Sequence, residues 1–130
     1  MLSVVIVAIR RYRHLREAID DIQKVDKEYV SVRHKLPAGK VVDNHFHPNI
    51  EEWVIFDSIG KARLSLDFER VNICDPIGVM AVHVPKGYIH SLKPLTDISY
   101  LVVRNRSGYP IELKDMLKSL FSNICLSPKL

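Results

Sequence analysis

The sequence is poor in the features that most quickly assign a protein to a class. Of its 130 residues only two are cysteines, Cys74 and Cys125, and they form no paired-cysteine metal motif. Two such thiols fit a reducing cytosol better than a disulfide-built secreted fold. The apolar opening LSVVIVAI runs eight residues before Arg10 and Arg11, far short of the roughly 20 that a bilayer-spanning helix needs. It also lacks the basic start and cleavage site of a signal peptide. The expectation is a cytoplasmic protein with no membrane partner. Internal repeats, low-complexity tracts and interdomain linkers are absent, so residues 1–130 read as a single domain, long enough for a real core. Charge of one sign is missing too. Nineteen basic residues against fifteen acidic ones leave +4, which permits an anionic partner without demanding one. No Ser-His-Asp order, glycine-rich phosphate loop or paired-carboxylate arrangement is present to carry nucleophilic or phosphoryl chemistry.

What is there begins with β-branched residues. Val4 to Ile9 reads as a strand. Arg10, Arg11, Arg13, His14 and Arg16 then form the only basic cluster, and Leu15, Ala18, Ile19, Ile22 and Val25 recur at helical spacing, predicting a helix over 15–24. Residues 1–27 are thus an N-terminal strand and helix. Arginines at a helix edge are ordinarily a solvated face, and nucleic-acid binding through them is the unlikely alternative. From residue 28 the helical period disappears. Strands are expected at 29–36, 41–47, 51–56, 61–68, 79–84, from His90, and at 98–105, separated by turns such as Pro37-Ala38-Gly39 and Asp75-Pro76-Ile77-Gly78. Short strands at this spacing predict an all-β sandwich or barrel over 28–106. A second amphipathic helix over 111–121, built on Leu113, Met116, Leu117 and Leu120, follows.

The most informative stretch is His45-Phe46-His47-Pro48-Asn49-Ile50-Glu51-Glu52-Trp53. Two histidines one residue apart share a side of a strand, and imidazole with carboxylate suits first-row transition metals. The stretch sits in Gly39-KVVDN-His45-Phe46-His47-PNI-Glu51, with Gly60 beyond it. A later segment reads Gly78-VMAVHV-Pro85-Lys86-Gly87-YI-His90. In this order the two segments resemble the paired motifs of the cupin superfamily. Eight residues rather than six separate Glu51 from Gly60, six rather than five separate Gly78 from Pro85, and Pro94 stands where the family has asparagine.

The resemblance implies a double-stranded β-helix, or jelly-roll barrel, flanked by short N- and C-terminal helices. It also implies a divalent metal (Fe, Mn, Ni, Cu or Zn) held by His45, His47, Glu51 and His90. Glu52 fits the four-residue variant of the gap after His47. Glu51 is the favoured ligand, since Trp53 and Ile55 then share its face. Glu52 would be the spare general base, and thus the candidate catalytic residue. Trp53, Tyr88, Tyr100, Arg104 and His34 are the candidates for holding a substrate. His83, like His34, lies in an expected strand; a solvated or structural histidine is the ordinary reading of both, and lining the cavity is the alternative. The activity implied is metal-dependent chemistry on a small organic molecule, of isomerase, lyase or oxygenase type. A non-catalytic cupin binding a sugar or organic acid is the alternative. The uncharged run Val4–Ile9 is also an unprotected edge, from which a homodimer with residues 4–9 at or beside the interface is expected.

Overall fold

The computed structural model describes residues 7–24 and 29–105. In chain order these form β1 (Ile9–Tyr12), α1 (Leu15–Gln23), β2 (Tyr29–Leu36), β3 (Val42–His45), β4 (Glu52–Phe56), β5 (Lys61–Leu66), β6 (Glu69–Cys74), β7 (Val79–Val84), β8 (His90–Pro94) and β9 (Ile98–Asn105). Every pairing is antiparallel. One sheet runs β1-β7-β4-β9-β2 and the other β3-β8-β5-β6, the jelly-roll arrangement that the two motifs imply.

Strand alternation distributes the core. Val54 and Phe56 of β4, Met80, Val82 and Val84 of β7, and Tyr100 and Val102 of β9 meet Ala62, Leu64 and Leu66 of β5 between the sheets. The residues between them point the other way. Ile55, Val79, Ala81, Leu101 and Val103 form a second apolar cluster with Ala18 and Ile22 of α1. The five-stranded sheet is therefore covered on both faces. That is why β7 and β9 are nearly continuous apolar runs while β5 alternates cleanly between buried and exposed residues. Helix α1 is tethered to β1 by Tyr12, whose hydroxyl donates to Asp21 at 2.6 Å, and by Arg10, whose Nη1 lies 3.1 Å from the same carboxylate.

Three features depart from the expected elements. Strand β1 is displaced toward the arginines: Arg10 and Arg11 lie inside it, and residues 4–6 are outside the described residues. Charged side chains are tolerated there because β1 is an edge strand. Strand β6 was not expected at all. It follows a two-residue hairpin at Asp67-Phe68, both with positive φ (47° and 70°), as a type I′ turn requires. The turn has no glycine, and its conformation is supported by Ile89, which pairs with Asp67 through both backbone groups: Asp67 N–H donates to the Ile89 carbonyl at 2.7 Å, and Ile89 N–H donates to Asp67 Oδ1 at 3.0 Å. Third, the expected helix at 111–121 lies outside the described residues, as does Cys125. Gly78 is the position where glycine is required outright: φ is +74°, and a Cβ would stand 2.6 Å from the Tyr12 carbonyl oxygen. No helix among the described residues is long and apolar enough to cross a membrane.

Candidate metal centre

The two motifs meet across the interior. His45 on β3 and His90 on β8 are direct register partners in the four-stranded sheet, with ring centroids 4.0 Å apart. His47 lies two residues beyond His45, in the connection to β4, with its ring 5.2 Å from His45 and 5.6 Å from His90. Its carbonyl accepts from Gly87 N–H at 2.9 Å, which ties the first motif to the turn of the second. Glu52, the first residue of β4, enters from the opposite sheet. Its Oε1 is 2.8 Å from His90 Nε2 and 3.7 Å from His47 Nε2. One potential ligand atom from each of His45, His47, Glu52 and His90 lies within 4.8 Å of all the others.

The carboxylate in this group is Glu52, which corrects the expectation of Glu51. The phase of the strand was right: Glu51, Trp53 and Ile55 do share a face. That face, however, is the outer one, toward α1, because Val54 and Phe56 belong to the cluster between the sheets and Ile55 to the cluster under the helix. Glu51 instead accepts from His83 on that outer side, at 2.5 Å. Glu52 is consequently not a spare base. His83 and Trp53 leave the interior with Glu51, the indole lying 4.7 Å from the His83 ring.

The donor set fits a first-row divalent ion. Three imidazole nitrogens and one carboxylate oxygen are the ligand types such ions take. Two donors each about 2.1 Å from one ion stand at most about 4.2 Å apart, so a small inward movement closes the cluster. The tautomers are suited as well. His45 Nδ1–H donates to the Asp43 carbonyl at 2.8 Å and His90 Nδ1–H to the Tyr88 carbonyl at 3.0 Å. A carbonyl only accepts, so in each ring Nε2 is left for a metal.

Electrostatics bind Glu52 tightly in place. Burial by itself pushes its carboxyl upward, but hydrogen bonds from His90 and Arg104 outweigh burial and hold it at about 2. The second oxygen, Oε2, accepts from Arg104 Nε at 2.8 Å. Burial pulls His90 down, and its bonds to Glu52 and the Tyr88 carbonyl raise it above the ordinary imidazole value. The Glu52 carboxylate and the Tyr88 carbonyl thus both favour a hydrogen on the His90 ring. His45 is shifted the other way, by burial first and then against the pull of Asp43, which favours its neutral, ligating form.

A cavity of about 140 Å³ opens beside the cluster, with His34, Tyr100 and Arg104 on its wall and Leu36, Val42 and Leu92 among its apolar lining. Of the five residues expected to hold a substrate, His34, Tyr100 and Arg104 line this cavity. His34 stacks on Tyr100, its register partner, at 5.3 Å. Burial and then the Arg104 charge push the His34 imidazole down, while burial and then Glu52 push the Tyr100 phenol up. Trp53 is on the opposite face of the sheet. Tyr88 contributes its carbonyl to His90 and packs its side chain against the interior cluster, and it is not part of the cavity wall. The backbone orienters Asp43 and Tyr88 have no residue-type signal, since any residue carries a carbonyl. Their common position two residues before a ligand is the only trace in the sequence.

Comparison with solved structures places this architecture among known ones. A mutant of the salicylate 1,2-dioxygenase of Pseudoaminobacter salicylatoxidans aligns with 81% of this chain and 27% of its own length, at 20% identity and a TM-score of 0.50. The capsular polysaccharide assembling protein CapF of Staphylococcus aureus aligns with 60% of this chain and 23% of its own, at 21% identity and a TM-score of 0.51. An RmlC-like cupin from Shewanella frigidimarina aligns over 59% of this chain and 65% of its own, at 15% identity and a TM-score of 0.49. The matched region spans about a quarter of the first two proteins and under two thirds of the third, and at these identities the likeness concerns the fold alone. By sequence, no protein-family model and no curated protein matches the chain.

Proposed function

We propose that this chain, a cupin by fold, binds one divalent transition metal through His45, His47, Glu52 and His90 and acts on a small organic molecule in the adjoining cavity, in a reaction of isomerase, lyase or oxygenase type. The observation that carries this reading is the convergence of four ligand-type side chains from two sheets on one point. When bound, the ion supplies Lewis-acid or redox chemistry to a substrate oxygen. Arg104 holds the outer oxygen of Glu52 and so aims the inner one at the centre. The apolar lining excludes water from the bound molecule. Glu52 is the only carboxylate among the described lining residues. Proton transfer within the cavity then falls to His34, whose imidazole is stacked on Tyr100 and held below its ordinary value by burial and then by Arg104.

The test is metal analysis of the purified chain together with titration by Mn, Fe, Ni, Cu and Zn ions. About one equivalent per chain, lost in His45→Ala and His90→Ala, is the expected result. A folded chain that takes up none of the five ions refutes the reading.

A second reading, a cupin that binds a small ligand without turnover, is favoured by one observation: no second carboxylate faces the cavity among the described residues. Metal-loaded protein that binds organic acids or sugars but converts none of them would establish it. Nucleic-acid binding through the basic cluster is disfavoured, because Arg10 is paired with Asp21 and Arg16 with Asp20. For assembly we retain the homodimer with residues 4–9 at or beside the contact, supported by the position of β1 at a sheet edge.

A further inference from the structure

The outer face of the five-stranded sheet carries a second cavity that the metal centre does not use. It measures about 220 Å³ and is lined by Ala8, Ile22 and Val103, by the rings of Tyr29, Trp53 and His83, and at its polar side by Arg10, Glu51, Asn105 and Arg104, the last of which also borders the barrel cavity. Trp53 is its centre: register pairing places His83 on one side of it and Val103 on the other, all on one face. The Arg10 guanidinium stands 4.9 Å above the indole and is held there by the Asp21 carboxylate.

We propose that this groove is a binding site for a small aromatic carboxylate, separate from the metal centre. Size sets the first limit. A closed apolar cavity of about 150 Å³ admits a benzene ring, so 220 Å³ suits one ring with a short substituent. The walls set the second. An aromatic ring gains contact with the edge of Trp53, whose face Arg10 covers, and with Tyr29, Ile22 and Val103. Charge sets the third. Glu51 accepts from His83 on this side, and Arg104 as well as Arg10 borders the groove, so two guanidinium groups stand against one carboxylate. A cation would also meet Arg10 across the groove. A carboxylate meets that guanidinium instead, which has five donors and engages Asp21 through Nη1 and the Tyr12 hydroxyl, leaving others for a ligand. The groove therefore selects a ring and an anionic group together.

Trp53 is the chain's single tryptophan, so its emission reports this site and not the barrel. Benzoate is the probe, with benzyl alcohol as the ring without the charge and acetate as the charge without the ring. Benzoate should change Trp53 emission saturably, with a midpoint of about 1 mM or lower, as a ligand of this size can supply. Benzyl alcohol should bind about tenfold more weakly, and Arg10→Gln should weaken benzoate about tenfold while leaving benzyl alcohol unchanged. Trp53→Phe removes the signal but keeps an aromatic wall, so calorimetry should still detect benzoate. Binding should persist in the double variant His45→Ala, His47→Ala; binding lost there would place benzoate in the barrel and overturn the proposal. Equal affinity for benzoate and benzyl alcohol, or an unaltered Arg10→Gln variant, would overturn it as well. So would the absence of both emission change and heat up to about 10 mM, far above the expected midpoint, or an indole shielded from acrylamide, which would mean that other parts of the chain or a second copy fill the groove. Since none of these readouts requires a bound metal, failure here leaves the proposed function standing, and failure of the metal titration leaves this site standing.

Discussion

Glu51 and Glu52 are chemically identical neighbours with opposite surroundings. One meets His83 near solvent, the other meets His90 and Arg104 at 2% exposure. Their substitution by glutamine should separate the two roles. Glu52→Gln removes a ligand oxygen's charge and should weaken metal binding by more than about a hundredfold, beyond what outer-shell changes do. Glu51→Gln should leave the affinity within about threefold, as expected for a group outside both ligand shells. Calorimetric titration with zinc measures both, and the reverse order would reinstate Glu51 as the ligand. Arg104 carries a second prediction. Removing it leaves a buried carboxylate with one charged partner instead of two, which costs about 2 kcal/mol. Arg104→Met should therefore lower the urea midpoint of the metal-free chain and lower it less when metal is bound, because an ion replaces the lost positive charge. An equal loss in both states would mean that Arg104 acts through packing alone.

At the level of elements, the β1–α1 unit is attached through a narrow set of contacts. Gly78 opens β7 directly beneath the Tyr12 carbonyl. Gly78→Ala combines a positive φ with a backbone clash and should cost more than about 2 kcal/mol, whereas Gly87→Ala, with a similar φ of +78° but open space around it, should cost only about 1 kcal/mol. Chemical denaturation of the two variants tests the difference, and equal costs would remove the clash from the account. The Tyr12–Asp21 tether also has a pH signature. The Tyr12 hydroxyl bond, opposed by desolvation and aided by Arg10, lowers the Asp21 carboxyl below its ordinary 3.8. A carboxyl depressed in the folded state stabilises fully above its unfolded value, and that contribution is lost as pH falls through the folded value. Stability of the parent should thus fall more steeply than that of Asp21→Asn below about pH 4. Parallel acid profiles would show that the tether contributes nothing to stability.

For the molecule as a whole, the metal centre joins the two sheets: His45 and His90 belong to one, Glu52 to the other. An ion bound only by the folded state adds about 2.7 kcal/mol at a hundredfold excess over its dissociation constant. Melting curves with metal and with chelator should separate accordingly, and coincident curves for a metal-loaded sample would argue against an ion that bridges the sheets. Assembly is testable at the same scale. Replacing Val5 and Val7 with lysine should halve the mass seen by light scattering at micromolar concentration if residues 4–9 form or flank the dimer contact. A parent chain that is already monomeric ends that proposal.

The sequence by itself determined the class of fold and most of the site. Alternation and turn residues placed β2, β7 and β9 to the residue, because strand period and turn chemistry are local properties that a short segment carries alone, whereas the meeting of His90 with His45 and His47 was what the resemblance to the paired cupin motifs implied. Only the tertiary structure decided which side of β4 is the inside. Period two relates Glu51 to Trp53 and Glu52 to Val54, but it is silent on which pair meets the second sheet when both faces are apolar. Here α1 covers one face and β5 the other, so Trp53, an expected cavity wall, became the centre of an outer groove. The hairpin at Asp67-Phe68 escaped for a related reason: Asp67 tolerates positive φ but Phe68 has no preference for it, and the turn depends on its contacts with Ile89, a residue distant in sequence and adjacent only after folding.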